Sequence, residues 1–142
     1  MLSKTATYGI KAILYVAHES KHGRRVGGPV VAKNIDAPVP FTAKIMQQLA
    51  RAGIVNSIKG PNGGFEMTDK QRRESNIRSI VEALDGESLY TQCGLGLDKC
   101  NDQRPCPIHD TYTSVRQAIV ELHTKESIGE LADRLDDLAV LK

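Results

Sequence analysis

Cys93, Cys100, Cys106 and His109 follow the spacing C-x6-C-x5-C-x2-H, in a stretch that also holds Gly94, Gly96, Pro105 and Pro107. Three thiolates and an imidazole suit an iron-sulfur cluster or zinc, because such metals take sulfur and nitrogen donors readily. Structural zinc sites usually preorganise half their tetrahedron with a C-x2-C knuckle, and no such pair occurs here. A cluster is therefore the better guest, with zinc, unliganded thiols or a metal-free thiol redox switch as alternatives. Three cysteines confined to residues 93–106 cannot form a closed disulfide framework. Cys106 with His109 is also the only candidate nucleophile pair. No Gly-rich phosphate loop accompanies it, and too little chain is left for a substrate domain. No catalytic residue and no small-molecule substrate are expected.

The elements that must position this loop are mostly helical. Ile10, Ile13, Leu14 and Ala17 recur at i, i+3, i+4 and i+7, predicting a first helix over residues 4–20 with Ser3 as N-cap. A short second helix is expected over 29–35, ended by Asp36, Pro38 and Pro40. Pro40 suits the first turn of a third helix, whose apolar stripe is Ile45, Leu49 and Ala52, with Gly53 as its stop. Two short strands, 54–58 and 65–68, flank the turn Lys59-Gly60-Pro61-Asn62-Gly63-Gly64. Three helices and a β-hairpin form the order of a winged helix-turn-helix. A fourth helix resumes at Ser75 or Asn76, with Ile77, Ile80, Val81 and Leu84 as its stripe and Gly86 as its stop.

After the aperiodic segment 87–109, a long helix over 110–125 carries Val115, Ala118, Ile119 and Leu122 on one side. A chain of 142 residues has one core and little surface to spare, so pairing with a second copy is the economical cover for Val115, Ile119 and Leu122. Ser127 to Glu130 fits a capping box opening a last helix with Leu131, Leu135 and Leu138. The fold class is thus mainly α with a small β-hairpin. Its parts are a DNA-binding unit at 1–86, a cysteine-containing cluster loop at 87–109, and a dimerisation and C-terminal region at 110–142.

Charge supports this division. Residues 1–73 hold 12 Lys or Arg against 4 Asp or Glu, a net +8, whereas residues 74–142 hold 7 against 13, a net −6. The basic part wants an anion, and double-stranded DNA is the anion a winged helix takes. On the third helix Lys44, Gln47, Gln48 and Arg51 share one face. Gln and Arg can read adenine and guanine edges there, while Lys engages phosphate; a plain solvated face is the alternative. In the wing, Lys59 meets a phosphate, and Gly60, Gly63 and Gly64 let the backbone approach the minor groove. Ser3, Lys4 and Thr42 complete the expected DNA contacts. No run of eighteen apolar residues and no apolar leader occurs, so a cytoplasmic protein without membrane association is expected.

The opening Leu2 to Ala17, the segment Leu49-Ala-Arg-Ala-Gly53-Ile-Val, the wing Lys59-Gly-Pro-Asn-Gly-Gly64-Phe and the cysteine triad before a long helix together resemble the bacterial winged-helix regulators typified by IscR, NsrR and CymR. The resemblance covers nearly the whole chain. It implies homodimers that bind partly palindromic operators, with cluster occupancy or redox state altering which promoters are bound. In the IscR-like branch a histidine just after the last cysteine completes a 2Fe-2S cluster, and Cys106-Pro-Ile-His109 matches that placement. In the NsrR-like branch a carboxylate near the start of the partner's first helix ligates a 4Fe-4S cluster, and Thr7 and Tyr8 here cannot. The resemblance thus favours 2Fe-2S. The CymR-like branch lacks the cysteines and responds to a partner protein.

Overall fold

The protein is described by a computed structural model covering residues 2–142. Helix α1 (Lys4–Lys21) runs through the centre. The Ser3 side chain caps it by accepting from the Ala6 amide at 2.9 Å. Its apolar positions seat Ile13, Val16 and Ala17 in the core with no exposure. Helices α2 (Gly28–Asn34) and α3 (Val39–Arg51) follow, each with a proline in its first turn where the missing N–H costs nothing. Between them Asp36 takes a positive φ of 53°, a conformation Asp tolerates better than bulkier residues. That turn sets α3 across α1 as the second helix of a helix-turn-helix.

Strands β1 (Asn56–Ile58) and β2 (Gly64–Glu66) pair antiparallel, Ser57 opposite Phe65. Val26 extends the pairing through an isolated bridge, exchanging hydrogen bonds with Phe65 at 3.0 and 2.7 Å. The core gathers Ile13, Val16, Val31, Ile35, Ile45, Met46, Leu49, Val55 and Ile80. Burying each such aliphatic side chain is worth roughly 1.5–3 kcal/mol. Ala52, expected on the α3 stripe, is exposed as its C-cap, and Met46, three residues before Leu49, is buried beside Ile45.

Helix α4 (Asp69–Glu74), not expected from the sequence, opens on a Thr68–Gln71 capping box. Helix α5 (Ile77–Asp85) opens on Asn76 and stops at Gly86 as expected. A single turn, α6 (Ser88–Thr91), precedes the cysteines, and α7 (His109–Thr124) follows them. Ser127 caps α8 with the expected box, but α8 (Ile128–Asp133) ends at Asp133. Leu138 therefore lies in a separate 3-10 turn, Leu138–Leu141, begun by the Asp137 side chain accepting from the Ala139 amide. Ile128, Ala132 and Leu141 return to the main core, so the tail packs on α1 and α4. Among the described residues no helix is long and apolar enough to cross a membrane.

Candidate metal centre and nucleic-acid interface

The sequence between α6 and α7 folds as a loop because glycine and proline deny it a periodic backbone, and side chains of α7 hold it in place. Gly94 sits against the ring of Tyr112: a Cβ there would fall 2.6 Å from the ring carbons, so only glycine allows the approach. One guanidinium nitrogen of Arg116 donates to the Gln92 carbonyl at 3.0 Å and to the Cys100 sulfur at 3.3 Å. His109, Tyr112 and Arg116 lie at i, i+3 and i+7 of α7 and so face the loop together.

The four expected ligands fall into two pairs. Cys93 Sγ lies 3.9 Å from Cys106 Sγ, and Cys100 Sγ lies 3.6 Å from His109 Nδ1. His109 is buried, and its Nε2 meets the Asp102 carboxylate at 2.8 Å. Backbone amides of Leu95 and Leu97 hold the Cys93 thiol below its ordinary range, the Cys106 contact and the Arg116 charge acting the same way against burial. A hollow of about 390 Å³ beside them is lined by Ser88, Thr91, Gln92, Cys93, Gly96, Leu97, Asp98 and Cys100. Among the described residues no three His, Cys, Asp or Glu side chains converge on one point as a single-ion site requires. Arg116 and Asp102 were missed in the sequence; the helical offset from His109 could have found Arg116.

On α3, Lys44, Gln47 and Arg51 are exposed along one face. Gln48 leans off it, its amide donating to the Ala83 carbonyl of α5 at 3.2 Å. Thr42 is 1% exposed and points inward, its hydroxyl without a partner. It leaves the set of groups able to reach DNA, because the first apolar turn of α3 packs it against the core. Ser3 spends its hydroxyl within the chain, on the Ala6 amide and the Asp85 carboxylate. Lys4 is exposed, with its ammonium 5.9 Å from the Tyr8 ring centre.

In the wing, Lys59 and Gly60 are exposed at the tip, and Gly60 and Gly64 have positive φ. Gly63 closes the turn with its amide on the Gly60 carbonyl at 2.9 Å, and a Cβ there would lie 2.2 Å from the Ile58 oxygen. The wing has an anchor that sequence reasoning missed. Arg25 reaches across to both carboxylate oxygens of Glu66, at 3.1 and 3.2 Å, and to the Asn62 carbonyl at 2.9 Å. It sits in a polar connection with no periodicity to single it out.

Along α7 the expected apolar side divides. Val115 and Leu122 are 49% and 69% exposed, whereas Ile119 packs on its own chain against the cluster of Ala6, Val81 and Tyr90.

A helix-turn-helix with a hairpin wing and an exposed basic row on its second helix defines a winged-helix DNA-binding regulator. The chain belongs to the Rrf2 family, described as iron-dependent transcriptional regulators, whose model matches residues 2–134. It is 31% identical over 133 residues to an HTH-type transcriptional regulator, so named, of Aquifex aeolicus, covering 92% of this chain and 90% of that one. It is 24% identical over 143 residues to the regulator IscR of Serratia proteamaculans, covering 98% and 83%. Among solved structures it superposes on CymR, the global cysteine regulator of B. subtilis, with a TM-score of 0.76 at 17% identity, covering 96% and 98%. It superposes on T. potens IscR with a TM-score of 0.70 at 18% identity, covering 94% and 87%. The mainly helical fold with a two-stranded wing is that of these regulators.

Proposed function

We propose that this cytoplasmic regulator is a homodimer that binds partly palindromic double-stranded DNA and senses iron-sulfur, redox or nitric oxide status through a 2Fe-2S cluster on Cys93, Cys100, Cys106 and His109. The observation that carries the reading is the two-plus-two grouping of these side chains. A two-iron cluster takes two protein ligands at each iron, whereas a zinc ion needs four donors around one point. Cys93 with Cys106 and Cys100 with His109 would be the ligand pairs. Asp102 at Nε2 fixes the His109 ring and leaves Nδ1 toward Cys100, the second partner that metal-bound histidines usually have. Arg116 would offset the negative charge of the thiolates. The cluster, when bound, supplies a one-electron redox centre, and an imidazole in place of a thiolate makes it less negative and raises its potential.

The DNA-facing set is Lys4, Lys44, Gln47, Arg51, Lys59 and the wing backbone at Gly60, Gly63 and Gly64, with Gln48 at its margin. Val115 and Leu122 would be covered by the second chain, whose two-fold symmetry places two α3 helices on two half-sites. Because the loop lies between α6 and α7, its state would set the pose of the winged units.

The test is an absorbance spectrum between about 300 and 700 nm of protein purified without oxygen, with iron and sulfide assays. A broad visible band with near-equal iron and sulfide, lost or shifted in His109→Ala, is the expected result. A colourless protein that resists reconstitution overturns the cluster and leaves the DNA-binding reading intact.

A further inference from the structure

The cysteine loop holds a second chemical device that requires no metal. Cys93 and Cys106 present their sulfurs to each other in van der Waals contact at 3.9 Å, so closing a bond of about 2.05 Å requires the two sulfurs to approach by roughly 2 Å. Cys100 is turned away from this pair, engaged by Arg116 at 3.3 Å and His109 at 3.6 Å. The two reactive sulfurs differ in access: Cys93 is buried, while Cys106 is partly open to solvent. The neighbouring loop is exposed from Gly94 to Lys99 and from Asn101 to Pro105, so it can adjust as the pair closes.

We infer that in the cluster-free chain Cys106 and Cys93 form a peroxide-sensitive dithiol that closes to an intramolecular disulfide, leaving Cys100 reduced. Cys106, the accessible sulfur, attacks a peroxide oxygen as thiolate. The O–O bond breaks, the departing alkoxide or hydroxide takes a proton, and Cys106 becomes a sulfenic acid. The Cys93 sulfur, as thiolate, then attacks the Cys106 sulfur, the S–O bond breaks, and hydroxide leaves to be protonated to water. Two thiols lose two electrons in all. Hydrogen peroxide is reduced to two waters, or an organic peroxide to an alcohol and one water.

The disulfide takes one ligand pair whole and leaves the other, Cys100 with His109, intact. An oxidised cluster-free chain would thus refuse loading until a thiol reductant reopened the bond. The disulfide itself rests on the sulfur geometry, its effect on loading rests on the cluster reading, and the two fail separately: one is read by thiol count, the other by absorbance.

The test uses the full-length chain, freed of iron with a chelator under reducing conditions, desalted without oxygen and treated with a stoichiometric amount of hydrogen peroxide. Remaining thiols are alkylated and the chain is mapped by mass spectrometry without reduction. The expected result is a peptide pair joined through Cys93 and Cys106, alkylation confined to Cys100, and recovery of all three thiols on reduction. Cys100→Ser should still form the bond and retain no free thiol. A disulfide through Cys100, a bond between two chains, or Cys106 carried to sulfinic acid with Cys93 still free overturns it.

Discussion

The hydroxyl of Tyr90 and Nδ1 of His123 share a hydrogen bond of 2.8 Å, and both side chains are buried. Burial pushes the phenol up to about 12, so it keeps its proton and the bond joins a neutral phenol to the imidazole. The bond ties the turn before the cysteines to the far end of α7. Tyr90→Phe should leave a buried nitrogen unpaired and cost about 1–3 kcal/mol in chemical denaturation. An unchanged midpoint would show that water replaces the phenol.

The same pair fixes a pH dependence. Burial lowers the His123 pKa from its ordinary 6.5, so below that value the unfolded chain takes up a proton before the folded one does. The contribution is complete above about 6.5 and is lost as pH falls toward the depressed folded value. His123→Gln should flatten that part of the stability profile. A separate decline should appear at more acid pH, where Asp133 loses the charge that Lys21 and Arg72 stabilise below its ordinary 3.8.

Thr42 tests the inward orientation of the α3 first turn. Its hydroxyl is buried without a partner, and Thr42→Val removes that group at similar shape. Stability should rise by roughly 1 kcal/mol, with operator affinity unchanged. A loss of affinity with fold intact would put Thr42 back among the DNA contacts.

Along the exposed row of α3, substitutions should separate by chemistry. Lys44→Ala should weaken all DNA sequences alike and reduce the salt dependence of binding by a slope of about 0.9. Gln47→Ala and Arg51→Ala should each cost about 1–3 kcal/mol on the preferred operator and relax base preference. Competition binding against scrambled duplexes distinguishes these results.

Arg25→Ala should free the wing. The half-exposed pair with Glu66 contributes below about 1 kcal/mol to stability, so denaturation should barely change. Amide exchange at Ser57 and Gly63 should quicken, and DNA affinity should fall. A drop in affinity without faster exchange would mean that Arg25 itself touches DNA.

The fold was legible where one element decides its own fate. The stripe of Ile13 and Ala17, the stop at Gly53, the glycine turn of the wing and the Ser127 box all depend on neighbours a few residues away, and all stand where the spacing puts them. Thr42 turns inward and Gln48 sits at the edge of the exposed row because helical spacing defines a face without saying how wide a stripe the packing partner covers. Here α5 takes up the Gln48 flank through Ala83. The last helix ended early because its leucine spacing continues past the point where Arg134 caps the chain. For the candidate site, the sequence supplied the donors, but the pairing of Cys93 with Cys106 depends on loop closure that no spacing encodes. Arg25 with Glu66 and Tyr90 with His123 are 41 and 33 residues apart, and neither side chain announces its partner.

The return of the tail to the core changes what counts as a module. The Ile128 amide binds the Ser75 carbonyl at 2.8 Å, at the start of α5, while the chain left α5 at its other end, Gly86. Residues 87–126 are thus an insertion strung between the two ends of one helix, and the DNA-binding unit is discontinuous, needing Ile128, Ala132 and Leu141 from beyond it. A cut at Gly86 would strip its own interior. An exchange of 87–126 must also re-cover Ala6 and Val81, which Tyr90 and Ile119 bury, so the natural seam for grafting a different sensor runs through both ends of α5 and along that apolar patch.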